Sequence, residues 1–193
     1  MSTVPRYFFA AMPTAKETPH WSARLTDAEV VAKLAPRMFP LDCLHQTLSG
    51  RHFDADAATV AKLMQAGSMI AAHAVTLRFN RVKWSQFESG GKIHCTLLAR
   101  GRPPLFDALL VATQDALRTV GLHDDEGHSP HVTLSYNAGE LHLPIWLIPI
   151  EWTISEVLLL KGHGVPYRYD IVGRWSLLPP ASPQHQDDLF AFG

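Results

Sequence analysis

Two short runs of the sequence alternate apolar and polar residues in the way that is typical of half-buried β-strands. Residues 42–48 contain His45-Gln46-Thr47-Leu48, and the run after Pro130 contains His131-Val132-Thr133-Leu134, so both read His-x-Thr-apolar. Successive side chains of a strand point to opposite faces. Each run therefore predicts a strand that presents one imidazole and one hydroxyl on the same face and turns its apolar neighbours toward a core.

The remaining apolar pattern predicts a mixture of strands and helices. A capping box formed by Thr26 and Glu29 predicts a helix over residues 26–35, which Pro36 ends. Further helices are predicted over 54–66, closed by Gly67, and over 103–120, closed by Gly121. Strands are predicted over 6–11, over 75–84 and 92–99 as one hairpin, and over 152–161 and 168–177 as a second hairpin.

The order of these elements is a weak internal repeat, in which a motif strand is followed by a connection and a hairpin in each half of the chain. It predicts an α+β fold that is bilobal, with two antiparallel-rich sheets related by a pseudo-two-fold axis, outer helices and a central groove. Residues 1–178 would form one domain of two lobes. Residues 179–193, which follow Pro179-Pro180, would form a flexible tail.

The paired motifs suit hydrolysis of a phosphodiester. The reaction needs a base for the attacking oxygen and an acid for the leaving oxygen, and histidine serves both roles near neutral pH. His45 and His131 are the candidate pair, 86 residues apart, and Thr47 and Thr133 could donate hydrogen bonds to the phosphate oxygens. No metal or other cofactor is required for this chemistry.

A third copy of the motif, His94-Cys95-Thr96-Leu97, lies inside the first predicted hairpin. Strand parity places His94 and Thr96 on the face opposite Cys95 and Leu97. We interpret His94 as a groove-lining, substrate-binding residue outside the catalytic pair. Arg51 follows the first motif closely and is a further candidate for substrate binding, with a solvated turn as the alternative.

These residues resemble the two-histidine (2H) phosphoesterase superfamily, and within it the RNA 2′,3′-cyclic phosphodiesterases that have been called 2′-5′ RNA ligases. The resemblance includes the two His-x-Thr strands and the opening run Arg6-Tyr7-Phe8-Phe9-Ala10. It implies opening of terminal 2′,3′-cyclic phosphates to 2′-phosphates without a metal. It also implies that His45 donates a proton to the leaving 3′ oxygen and that His131 accepts a proton from water.

Composition restricts the other function classes. The net charge of −1 excludes an indiscriminate nucleic-acid binder. A basic band nevertheless runs through the first predicted hairpin to the start of the next helix, and it is interpreted either as an anion site or as a solvated hairpin edge. It consists of Arg78, Arg81, Lys83, Lys92, Arg100 and Arg102. Neither the two cysteines nor the 11 histidines show a metal-ligand spacing. We expect a cytoplasmic monomer that binds RNA ends and does not enter a membrane.

Two alternatives to the RNA cyclic phosphodiesterase remain open at this point. The first is a non-catalytic module that binds RNA ends, and the second is a 2H phosphodiesterase that acts on 2′-5′ linkages or small cyclic nucleotides.

The tail suggests a separate partner. The segment from Gln186 to Phe190, Gln-Asp-Asp-Leu-Phe, resembles peptides that dock on the DNA sliding clamp, in which the leucine and phenylalanine enter an apolar pocket.

Overall fold

A computed structural model describes residues 4–86, 91–124, 127–164 and 168–181, which form nine β-strands and four α-helices. The strands are β1 Arg6–Ala11, β2 Gln46–Thr47, β3 His52–Phe53, β4 Val75–Gln86, β5 Ile93–Ala99, β6 His131–Ser135, β7 Ile145–Ile154, β8 Glu156–His163 and β9 Arg168–Ser176. The helices are α1 Thr18–Asp27, α2 Val30–Leu34, α3 Ala57–Met69 and α4 Pro104–Thr119. The segment proposed to dock on the sliding clamp lies outside the described residues.

The strands form two antiparallel sheets, which confirms the predicted α+β fold class. One sheet has the order β2-β1-β8-β9, and β3 pairs with the first residues of β1 beside β2. The other sheet has the order β6-β5-β4-β7. The two motif strands, β2 and β6, therefore lie at the edges of different sheets, and contacts between these two strands bring the sheets together.

The internal repeat predicts that each sheet is assembled from one half of the chain, and this prediction is wrong. The hairpin of β4 and β5 pairs with the second motif strand, β6, whereas the last hairpin pairs with β1 in the sheet of the first motif. The predicted strand 152–161 is two strands, since Ser155 separates β7 in one sheet from β8 in the other. Apolar residues continue on both sides of Ser155, so periodicity alone could not reveal the change of sheet.

The prediction of a single helix over 26–35 is also wrong. Helix α1 begins at Thr18, and Pro19 lies in its first turn, where the missing N–H group has no helical partner to lose. Glu29 has a φ of 57° and separates α1 from α2, so it does not form the capping box. Pro36 follows the end of α2 at Leu34, as expected.

Helix α3 begins close to its predicted position but ends later. The side chain of Asp56 accepts a hydrogen bond of 2.7 Å from the Thr59 N–H and caps the helix. Gly67 does not end it. The ring of Trp175 lies against Gly67, and a Cβ atom there would be 2.3 Å from that ring. The glycine is needed for this close approach between α3 and β9.

The core is built from the inner faces of both sheets and the helices that cover them. Trp21 of α1 packs against Trp152 of β7, with the ring centroids 5.4 Å apart, and against Phe79 of β4. Helix α4 buries the apolar face that the sequence predicted, including Phe106 and Leu117. Within the described residues, no helix combines the length and hydropathy needed to cross a bilayer.

Candidate active site

The two motifs have the predicted alternation of side chains. Leu44, Leu48, Val132 and Leu134 are buried in the core, whereas both histidines and both threonines of the motifs are half-buried. The first motif strand is shorter than predicted, because residues 41–43 form a 3-10 turn and β2 contains only Gln46 and Thr47. His45 therefore lies just before the strand, and His131 is the first residue of its strand.

The structure brings both motifs to one cavity of about 180 Å³, which is lined by His45, Thr47, His131 and Thr133. Arg51, a predicted substrate-binding residue, lines the same cavity. Three further lining residues, Ser49, His128 and Tyr136, were not among the predicted site residues.

Each imidazole is held by the backbone carbonyl two residues before it. Nδ1 of His45 is 3.0 Å from the carbonyl oxygen of Cys43, and Nδ1 of His131 is 2.8 Å from that of Ser129. A carbonyl oxygen can only accept, so Nδ1 carries a hydrogen in both rings. Nε2 of each ring is therefore the nitrogen available for proton transfer. The same local geometry occurs in both lobes.

Aromatic rings surround His45. Its ring centroid is 5.4 Å from that of Phe8 and 5.0 Å from that of Tyr169. The pKa of His45 is lowered to about 4, chiefly by burial, with a further contribution from the charges of Arg51, Arg6 and protonated His131. The hydrogen bond to the Cys43 carbonyl opposes this lowering. His45 is therefore neutral at pH 7 in the ligand-free protein.

Gln46, the second residue of the first motif, joins the two motifs. Its side chain is fully buried, and Oε1 accepts a hydrogen bond of 2.7 Å from the backbone N–H of His131. Its Nε2 donates to the carbonyl oxygens of Thr47, at 2.8 Å, and Ser129, at 3.2 Å. Gln46 therefore contacts the backbone on both sides of the cavity, a role that the alternation of the motif did not predict.

A second set of contacts fixes the turn that carries Arg51. The Ser49 hydroxyl accepts a hydrogen bond from the Phe9 N–H at 2.8 Å and donates to the carbonyl oxygen of Gly50 at 2.9 Å. The buried carboxylate of Asp124, which lies between α4 and β6, accepts from the Gly50 N–H at 2.9 Å. Sequence analysis missed Asp124 because its partner is 74 residues away.

His94 lines a different cavity, which has a volume of about 360 Å³. This larger cavity is mostly aromatic and apolar, and Tyr136 contributes to both cavities. The ring centroids of His94 and Tyr136 are 5.0 Å apart. The other lining residues are Val4, Arg6, Phe39, Pro40, Cys43, Phe53, Lys92 and Tyr169. The third motif copy therefore lies beside the cavity of the histidine pair rather than in it.

The part of the chain that the structure describes contains no group of three histidine, cysteine, aspartate or glutamate side chains arranged to bind a metal ion. The smaller cavity offers the imidazoles of the two motif histidines and of His128, together with two threonine hydroxyls and one guanidinium. Such a set can exchange protons and bind an anion.

No protein-family model matches the chain, and no curated protein matches its sequence. Solved structures do match. Apo LigT from E. coli has 23% sequence identity and a TM-score of 0.65, over 91% of this chain and 99% of LigT. The protein TT0787 of Thermus thermophilus has 17% identity and a TM-score of 0.66, over 89% of this chain and 97% of that protein.

A third match is the PDE domain of MHV ns2, with 15% identity and a TM-score of 0.53, over 88% of this chain and 99% of that domain. At these identities the likeness establishes the fold. The chain therefore shares the α+β fold of these three proteins, and its fold agrees with the one that the two His-x-Thr motifs imply.

Proposed function

We propose that the protein hydrolyses RNA terminal 2′,3′-cyclic phosphates to 2′-phosphates. The observation that carries this proposal is the single small cavity lined by both histidines and both threonines of the paired motifs. Two imidazoles from different sheets can lie on opposite sides of one phosphorus atom, as in-line displacement requires. The fold shared with proteins named as a phosphoesterase and a PDE domain supports the same class of reaction.

In the proposed reaction, a water oxygen bonds to phosphorus while the bond from phosphorus to the 3′ oxygen breaks. His131 Nε2 accepts the proton that the water loses, and His45 Nε2 donates a proton to the departing 3′ oxygen. The product carries a 2′-phosphate and a 3′-hydroxyl, and exchange with solvent restores both histidines. Thr47, Thr133 and Arg51 bind the non-bridging oxygens, where negative charge is concentrated. These steps need no metal ion.

Because the pKa of His45 is lowered, the bound substrate must itself promote protonation of this proton donor. A neutral imidazole cannot donate the proton that the leaving oxygen requires. A phosphate anion within a few ångströms favours the protonated form and raises the pKa of His45. Substrate binding therefore converts His45 into the proton donor, and burial, together with the nearby cations, keeps it neutral until an anion binds.

The larger cavity provides a place for the terminal nucleoside. Tyr169 packs against His45, the proposed donor to the ribose oxygen, and also lines that cavity. Phe39 and Tyr136, whose ring centroids are 5.2 Å apart, supply aromatic surface for a base. We assign His94 to this base cavity. LigT, which has the same fold, has been crystallised with phosphate and with 3′-AMP.

The test is hydrolysis of an oligoribonucleotide with a 2′,3′-cyclic phosphate end, in the presence of a chelator. We expect a 2′-phosphate product and a loss of at least about 100-fold in kcat for His45→Ala and for His131→Ala. His20→Ala, which removes an exposed histidine of α1, is the matched control and should retain full activity.

Binding of the oligonucleotide without turnover would instead identify a non-catalytic module. Faster hydrolysis of 2′-5′ linkages or small cyclic nucleotides would assign the cavity to another substrate of the same chemistry.

A further inference from the structure

One row of four opposed residues crosses the whole four-stranded sheet and begins at His131. His131 of β6 lies opposite Leu98 of β5, Leu98 lies opposite Arg81 of β4, and Arg81 lies opposite Trp146 of β7. Directly opposed residues of antiparallel strands project from the same face. Arg81 and Trp146 are therefore on the face that carries the imidazole of the proposed base.

A second row runs parallel to the first. Thr133 lies opposite Thr96, and Thr96 lies opposite Lys83. The bulge between Phe79 and Arg81 preserves this arrangement, because the extra residue lets Phe79 remain buried while Arg81 faces outward with Lys83. In each row, a motif residue of β6 therefore lies on the same face of the sheet as a basic side chain of β4.

Arg81 and Lys83, the basic side chains of these two rows, differ in their ion pairs from a third basic residue of β4. Among the described residues, no carboxylate lies within ion-pair distance of Arg81 or Lys83. Arg78, on the same strand, differs because its guanidinium is 3.6 Å from Glu151. Arg81 and Lys83 are therefore available to an anionic partner, whereas Arg78 is already paired.

Trp146 supplies an exposed aromatic surface at the far end of the first row. Its side chain is 66% exposed, although a tryptophan in a folded chain is usually well covered. The guanidinium of Arg81 lies 5.4 Å from its ring centroid. Guanidinium and indole together form the combination on which bases of single-stranded nucleic acids stack.

We propose that this face binds the single-stranded RNA chain attached to the reacting end, with Lys83 and Arg81 contacting its phosphates and Trp146 stacking one of its bases. The proposal rests on the proposed function, since it places the chain relative to a phosphate held by His131. It assigns the protein to polynucleotide substrates rather than free cyclic nucleotides.

The dimensions of the sheet set the length of RNA that can reach Trp146. From β6 to β7 there are three strand spacings of about 4.8 Å, or about 14 Å in total. A stacked strand advances about 3.4 Å per nucleotide, so about four nucleotides cover this distance. A dinucleotide substrate cannot contact Trp146, whereas a hexanucleotide can.

The experiment compares a dinucleotide with a hexanucleotide, each ending in a 2′,3′-cyclic phosphate. The wild-type protein should show a lower KM for the hexanucleotide. Trp146→Ala and Arg81→Gln should each raise that KM at least about fivefold, the lower end of the stacking contribution, and leave kcat and the dinucleotide KM unchanged. Arg78→Gln is the matched control, because Glu151 already neutralises Arg78, and it should have little effect.

Direct binding separates this proposal from the hydrolytic one. Affinity for a hexanucleotide that ends in a 2′-phosphate is measured by fluorescence anisotropy at several salt concentrations. Arg81→Gln should reduce the slope of log affinity against log salt by about 0.7, as expected when one phosphate contact to a single strand is lost. This measurement remains informative if neither oligonucleotide is hydrolysed.

Equal KM values for the two lengths in the wild-type protein, or equal losses for both lengths in Trp146→Ala, would overturn the proposal. So would RNA binding that none of the substitutions alters, which would assign the exposed tryptophan to a protein partner instead.

Discussion

The side-chain oxygen of Gln46 lies 2.7 Å from the backbone nitrogen of His131 and accepts its hydrogen bond. The second residue of one motif thereby fixes the position of the first residue of the other. The nitrogen of the same amide donates to Ser129, whose carbonyl oxygen also orients the His131 ring. One buried side chain thus sets both the backbone and the ring of the proposed base relative to β2.

Gln46→Leu should lower kcat at least about tenfold while KM changes little, because the two histidines lose their mutual alignment but the phosphate ligands remain. The His131 N–H, left without its acceptor, should also reduce the free energy of unfolding by about 1–3 kcal/mol. Steady-state kinetics and urea unfolding measure the two effects. Gln65→Leu, at an exposed position of α3, controls for the change of side chain. A fall in stability with unchanged kcat would restrict Gln46 to a purely structural role.

Phosphate should raise the pKa of His45. In the ligand-free protein the value is about 4, below the usual value of 6.5, so the imidazolium is populated only in acid. A bound anion favours the imidazolium, and the titration midpoint therefore moves upward. NMR titration of the His45 ring with and without phosphate measures this shift, with the exposed His20 as an internal reference. An unchanged midpoint near 4 in the phosphate complex would rule out His45 as the proton donor at neutral pH.

The same lowered pKa makes stability depend on pH. Between about pH 4 and pH 6.5 the unfolded chain binds a proton at His45 that the folded chain does not bind. The contribution of neutral His45 to folding is therefore complete above pH 6.5 and is lost as the pH falls toward 4. Urea unfolding of the wild-type protein and of His45→Gln across this range tests the sign. The glutamine variant should lose less stability on acidification, and a larger loss would contradict the assignment.

His94→Gln should show that the third motif copy contributes to substrate binding and not to the chemical step. His94 lines the larger cavity, so its replacement should raise the KM of a substrate with a normal terminal base about threefold to tenfold and leave kcat unchanged. A substrate whose terminal nucleotide lacks its base should show no difference between the variant and the wild-type protein. A large fall in kcat on both substrates would instead place His94 in the chemistry.

Gly67→Ala should destabilise the protein, although alanine is the better helix former. The added Cβ would lie 2.3 Å from the Trp175 ring, and overpacking of this kind costs about 1–3 kcal/mol. That cost exceeds the gain of about 1 kcal/mol from helix propensity. Gly127→Ala, where a Cβ atom would meet nothing within 4 Å, is the control. Thermal unfolding of both variants gives the comparison, and a more stable Gly67→Ala would show that Trp175 can move away.

Local pattern was sufficient to predict much of the fold and to select the residues of the candidate site. Period-two alternation identified the faces of both motifs, because side-chain direction in a strand depends only on position along the chain. Capping and turn residues located α3 and α4 to within a few positions. The repeated His-x-Thr pattern predicts His45 and His131 as a pair, and both line one cavity in the structure.

Only the tertiary structure decided which strands pair and which distant groups meet. Strand pairing depends on contacts between segments far apart in sequence, so the hairpin of β4 and β5 joined β6 rather than the first motif. The role of Gln46 depends on a backbone group 85 residues away. The row from His131 to Trp146 exists only through the register of three strand pairs, and no periodicity within a single strand encodes that register.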